Sequence, residues 1–218
     1  MTSKKEERPL YVGRIIAAFI IATIIFLGGF FASNYLSVRK YDQIDEGQEK
    51  LKFDLFSLQL QKDILTSSCK NFKYREFSRE LDKTGKYLNI LEKRLGKMDE
   101  KVLEQKKIYS MLEAQHFLFI KEHNKNCEED FPTILFFYSN KEDYADMADQ
   151  MGFILGTVKS KNGDVMVYSF DYDLDSDVID ALETRYNVTG ANTLVINEDT
   201  KLTNVQNIRE IEEVLGEK

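Results

Sequence analysis

With 37 acidic against 30 basic residues in 218, the chain carries a formal net charge of -7, and its lysines and arginines cluster only around an apolar run near the N-terminus. That distribution argues against nucleic acid as the main partner. Two cysteines, Cys69 and Cys127, and no His/Cys cluster at ligand spacing argue against a structural zinc site, and nothing in the sequence calls for a cofactor or a catalytic metal.

From Ile15 to Ala32 the run IIAAFIIATIIFLGGFFA contains no charge, and its apolar character fades only through Leu36. About 20 apolar residues at 1.5 Å each span a hydrocarbon core of ~30 Å. Residues 15–36 are therefore predicted to be a transmembrane helix behind a short tail, 1–14. A cleaved signal peptide fits less well, because its apolar region runs only ~7 to 15 residues before a small-x-small site, and Phe30 stands where a small residue is needed before Ala32. Tyr11 and Tyr35 bracket the span, where amphipathic rings prefer to sit. Lys4, Lys5, Arg8 and Arg14 precede it, while Arg39, Lys40, Lys50 and Lys52 follow, so charge counting alone is a tie. Arg14 at the boundary and the free amino terminus favour a cytoplasmic N-terminus in the cell membrane. The long C-terminal part would then be extracytoplasmic.

Residues 41–125 read as a helical stalk or three-helix bundle. Tyr41, Ile44, Leu51, Leu55, Leu58 and Leu65 keep a three-four rhythm beside a second stripe of Phe53, Phe56, Leu60 and Ile64. Tyr74, Phe77, Leu81, Leu88, Leu91 and Leu95 repeat it, after which Gly96 supplies a C-cap and Asp99 an N-cap for a third helix, predicted from about Asp99 to His123. A partner-binding coiled coil is one reading. Stripes wider than a strict a/d seam favour helices that pack on each other and on the C-terminal part, with homo-oligomerisation left open. His116 and His123 are expected as surface or interface side chains.

Cys69 ends the first stalk helix and Cys127 follows the third. An up-down-up bundle brings both to one end, where a disulfide would add ~4 kcal/mol in the chain-entropy model. It would also require an oxidising compartment, in keeping with a translocated domain. Two unrelated buried thiols in a cytoplasmic protein are the alternative.

Three runs rich in β-branched and aromatic residues follow: TILFFYS (Thr133 to Ser139), which has no charge, DVMVYSFDYD (Asp164 to Asp173) and NTLVINED (Asn192 to Asp199). Each has the pattern of a strand buried on both faces, and amphipathic helices are predicted between them at Glu142 to Ser160 and Asp175 to Tyr186. The most economical arrangement of these three strands is parallel, with right-handed crossovers. A fourth strand near Thr200 to Asn204 follows too short a turn for a crossover, so it is expected antiparallel to the third, and a last helix is predicted at Asn207 to Leu215. Asp171, Asp173, Asp175 and Asp177 alternate after the second strand. They lack the glycine and terminal glutamate of an EF-hand and read as a solvated strand end and helix cap. Asn187, Val188 and Thr189 match a glycosylation sequon, which matters only if the domain is translocated.

The order βαβαββα in residues 131–218 resembles the thioredoxin-like superfamily. TILFFYSN is similar to the strand that leads such proteins into their active-site helix, and YNVTGANTLVIN to the segment where a helix ends and a cis-proline precedes the third strand. The fold class is thus α/β, a thioredoxin-like domain preceded by a transmembrane helix and a helical stalk. The resemblance covers about 40 per cent of the chain, and the departures from it are chemical. No cysteine follows Cys127. The CxxC pair of the superfamily would fall at Tyr144 and Met147, and the cis-proline at Asn192, so these are degenerate active-site positions and no catalytic residue carries over.

The expected function is accordingly a single-pass membrane protein displaying a redox-inactive thioredoxin-like domain, a protein- or peptide-binding or scaffolding module rather than an enzyme. The alternative is a thiol-disulfide oxidoreductase-related protein using Cys69 and Cys127 as a non-standard redox pair.

Overall fold

The computed structural model of the chain describes residues 12–33, 53, 56, 57, 60, 69, 74–127 and 130–216. They belong to two compact units, 1–47 and 48–218. Among its described residues the first contains one helix, α1 (Val12–Ser33), 22 residues long, with an 18-residue window of mean hydropathy 2.7 in which no residue is buried. It is long and apolar enough to cross a membrane. The predicted continuation to Leu36 and the tail before Val12 lie outside the described residues.

In the second unit α2 (Tyr74–Leu95) and α3 (Glu100–Cys127) form an antiparallel hairpin, followed by β1 (Thr133–Tyr138), α4 (Glu142–Lys161), β2 (Met166–Asp171), α5 (Asp177–Tyr186), β3 (Thr193–Ile196), β4 (Thr200–Thr203) and α6 (Ile208–Gly216). Of the first stalk helix only positions 53, 56, 57 and 60 are described, all helical. Gly96 ends α2 at φ +99°, a conformation that a Cβ would strain, and its N–H donates to the Glu92 carbonyl at 2.8 Å. Asp99 opens α3 by accepting the Lys101 N–H at 3.0 Å. Both caps stand where the sequence places them.

The sheet has the order β2-β1-β3-β4. β1 and β2 are parallel, with Thr133 opposite Met166 and Tyr138 opposite Asp171. β3 runs antiparallel to β1, and β4 antiparallel to β3. The all-parallel arrangement expected for the first three strands is therefore corrected at β3. β2 ends beside Tyr138 and β3 begins beside Phe137, so the connection through α5 leaves and re-enters at one end of the sheet. A parallel crossover would have to return along the full strand length. The TLVI run is buried at every position and reads the same in either direction.

Helices cover both faces. On one, Leu135, Phe137, Met166, Tyr168, Phe170 and Val195 pack with Leu112, Phe117 and Ile120 of α3 and Ile179 and Leu182 of α5. On the other, Ile134, Phe136, Leu194 and Ile196 pack with Met151, Leu155 and Val158 of α4 and Ile211 of α6. The alternation of Ile134 and Phe136 against Leu135 and Phe137 is the period-2 consequence of a strand buried on both sides. Side chains such as Phe117 and Ile120, fully buried, each contribute on the order of 2 kcal/mol. Because Leu81 and α3 share a core with the sheet, the α2-α3 hairpin and the α/β elements make one hydrophobic body.

Candidate functional site

The β1-α4 and β2-α5 loops leave the sheet at the same end, the one outside the carboxyl ends of β1 and β2, where α/β sheets commonly bind ligands. The start of α3 closes over them. Between these segments lies a cleft of about 340 Å³ lined by Met98, Leu103, Lys107, Lys141, Asp173 and Leu174, among others.

Its charges are organised around a buried lysine. Lys106, only 2% exposed, places Nζ 3.1 Å from Asp171 Oδ2 and 3.0 Å from Glu92 Oε1, and lies 5.9 Å from the centre of the Tyr138 ring. Asn140 Nδ2 donates to the same Asp171 oxygen at 2.7 Å. One shell further out, Ser139 Oγ and Lys141 Nζ both donate to Asp173. Burial works to raise the Asp173 carboxyl, but the bonds from Lys141 and Ser139 outweigh it and hold the group below its ordinary range. Burial, and after it the carboxylates of Asp171 and Glu92, push the Tyr138 phenol well up. Asp171 is thus a buried ion-pair partner, 4% exposed, and not the solvated strand end expected for the first of the alternating aspartates. Among the described residues no group of three or more His, Cys, Asp or Glu could hold a metal ion.

Further along α3 a second polar cluster meets the edge of β2. Glu113 Oε1 accepts the outward Ser169 N–H at 3.0 Å, which caps one exposed donor of that edge strand. Burial pushes the Glu113 carboxyl up to about 8, against the opposing pull of the Ser169 N–H and the Lys159 charge. One turn on, His116 Nδ1 stands 2.8 Å from the Tyr168 hydroxyl and Nε2 3.2 Å from Ser78 Oγ. Burial lowers His116 to about 3, so it is neutral at ordinary pH. His123 is also buried, 6% exposed, between the rings of Phe119 and Phe131. The expectation that both histidines are surface or interface groups is corrected. The face of α3 that carries both histidines points inward, and His116 meets α2 at Ser78 and β2 at Tyr168.

Cys69 and Cys127 form a disulfide with their Cα atoms 5.3 Å apart. Of the degenerate positions, Tyr144 and Met147 occupy the first turns of α4, 40% and 39% exposed. Asn192 is 2% exposed, has φ +56°, and neither side-chain amide atom has a partner. Continuing the β1-β3 register puts it opposite Tyr138. The three residues thus share one end of the sheet, two exposed and one buried, and no cis peptide bond occurs among the described residues. Asn187 of the sequon is exposed at the C-cap of α5, where its carbonyl accepts from Lys201 at 2.7 Å.

Sequence reasoning did not single out Lys106, Glu92, Glu113 or the approach of His123 Nδ1 to Cys127 Sγ, 3.5 Å away. A signal existed: Lys106, Ser110, Glu113 and Phe117 fall at helical core spacing, polar side chains where a core stripe should continue. Comparison of the chain with family models, with curated proteins and with solved structures returns no match.

Proposed function

We propose that this is a single-pass membrane protein whose α/β domain is a redox-inactive, thioredoxin-like module that binds a protein or peptide. The observation that carries the reading is the carboxyl end of the sheet. Where thioredoxin-like enzymes hold two thiols, this chain exposes Tyr144 and Met147 on the first turns of α4, the helix that follows Asn140 and Lys141 of the cleft lining. The mixed strand order, with β3 reversed and helices on both faces, supports the resemblance. The Cys69–Cys127 bond supports an extracytoplasmic domain, since such bonds persist in oxidising compartments.

The test uses the full-length protein in its native membrane, with a photo-crosslinking residue at position 144 or 147 and, as control, at the exposed Phe153. A discrete adduct from 144 and 147 and none from 153 is expected; equal yields from all three would overturn a site at this end. A second reading, catalysis of thiol-disulfide exchange by Cys69 and Cys127, has one observation in its favour, the imidazole beside Cys127. It predicts that the protein accelerates insulin reduction by dithiothreitol and that a C69S/C127S variant does not. The binding reading predicts no acceleration by either.

A further inference from the structure

We propose that the Cys69–Cys127 bond is a polarised exchange site: a thiolate attacks Cys69 Sγ, and Cys127 departs against His123. The two sulfurs have unlike surroundings. Cys69 is exposed and Cys127 only partly so, which favours attack on Cys69. The Asn126 carbonyl oxygen lies 3.7 Å from Cys69 Sγ. An electron-rich oxygen there opposes negative charge on that sulfur, so Cys69 is a poor leaving group. His123 Nδ1 lies 3.5 Å from Cys127 Sγ, where an N–H would stabilise the charge that develops as the S–S bond breaks. Phe119 and Phe131 flank the imidazole, with ring centres 6.3 and 6.1 Å away. Their presence keeps water from competing for that hydrogen bond. The C-terminal end of α3 disfavours an anion at Cys127, and His123 is the group that offsets it.

The step balances with a low-molecular-weight thiol as reductant. The thiolate sulfur bonds to Cys69 Sγ, the S–S bond opens, and its electron pair goes to Cys127 Sγ as a thiolate that His123 holds. From this mixed disulfide, Cys127 can return and expel the thiol. Alternatively, a second thiolate attacks the added sulfur, releasing Cys69 as a thiolate and the reductant as its disulfide. Neither cysteine belongs to either hydrophobic core cluster. Opening the bond therefore releases position 69 from the end of α3 while the packing of the sheet is retained. This inference rests on the surroundings of the disulfide alone, so it stands or falls apart from the crosslinking at positions 144 and 147.

The test is the site of the adduct. Full-length protein in detergent is treated with reduced glutathione, quenched in acid, alkylated with N-ethylmaleimide and mapped by peptide mass spectrometry. Glutathione on Cys69 with maleimide on Cys127 is expected, in about tenfold excess over the reverse pattern. An even split, a preference for Cys127, or no adduct while the protein stays folded would overturn the proposal. His123→Phe should abolish the preference and slow adduct formation, and His123→Asn, whose amide places a donor near the Nδ1 position, should restore part of it. An unchanged ratio in His123→Phe would remove His123 from the mechanism. The wild-type ratio decides the direction of attack even if a variant fails to fold.

Discussion

At Lys106, α3 carries a charge into the interior and meets Asp171 and Glu92 there. About two turns on, at Glu113 and His116, the same helix buries titratable groups that meet a backbone N–H, a phenol and a hydroxyl instead. In the first cluster the lysine has two carboxylates within 3.1 Å. The second becomes neutral, since without an ion pair the protonation state shifts sooner than a charge stays buried. Burial alone thus does not determine whether a polar group is ionised; the partner does.

The largest expected effect comes from breaking the charged cluster. Lys106→Met leaves Asp171, 4% exposed, facing only Asn140 and its own loop, and should cost ~3–5 kcal/mol in urea unfolding. Adding Asp171→Asn should recover a substantial part. If the single variant lost under ~1 kcal/mol, the pair would be solvated in solution and the contrast with Glu113 would fail.

The neutral cluster predicts a shaped pH profile. For Glu113 the unfolded value is 4.5 and the folded value about 8. Between these the folded state alone holds the proton, so stability falls as pH rises. For His116 the values are 6.5 and about 3. Between these the unfolded state alone holds the proton, so stability falls as pH drops. From about 4.5 to 6.5 the slopes of these two groups cancel. From 6.5 to 8 the Glu113 slope stands alone, ~1.4 kcal/mol per pH unit, or ~2 kcal/mol in all. Glu113→Gln should abolish that alkaline limb and expose the His116 slope from 4.5 to 6.5, measured as unfolding midpoints across pH. A profile unchanged by Glu113→Gln would mean that Glu113 is ionised in the fold.

Much of this architecture was legible in the chain. The strands announce themselves because Thr133–Tyr138 and Thr193–Ile196 must be apolar on both faces, and Gly96 and Asp99 mark a helix junction because only certain residues satisfy its backbone. The direction of β3 was hidden, since full burial erases the alternation that would distinguish its faces. Lys106, Glu113 and the histidines were hidden for a related reason. Polar residues signal solvent in a sequence read one helix at a time, and only the packing of one face of α3 against both α2 and β2 turns that face inward.

A smaller effect is expected where the two helices of the hairpin touch. In an exposed helix Gly→Ala gains ~1 kcal/mol, but a Cβ on Gly85 would lie 2.7 Å from the Tyr109 hydroxyl. Gly85→Ala should therefore destabilise by ~1 kcal/mol net, the cost of displacing a packed ring exceeding the helical gain. Because the Tyr109 side chain helps to hold the Glu113 carboxyl down, the same variant should move the alkaline limb to higher pH. Stabilisation by Gly85→Ala would show that the hairpin is looser than the ring contact implies.

The smallest effect tests how far a surface charge reaches. Lys159 on α4 is 42% exposed and pairs with Asp82, 48% exposed, at 2.8 Å, a pair worth under ~1 kcal/mol in water. Its charge nevertheless lowers both Glu113 and His116. Lys159→Met should change stability at pH 6 by no more than ~0.5 kcal/mol. It should also extend the alkaline limb upward in pH and shorten the acid limb, because both folded values rise. That displacement acts through solvent as well as protein, so it should shrink at 1 M salt, where the Debye length is ~3 Å. The loss in Lys106→Met should persist there, because its partners are in contact and dry. Equal salt sensitivity in the two variants would place Lys106 and Lys159 in the same electrostatic environment, and the distinction between a paired interior charge and a remote surface one would have no basis in this protein.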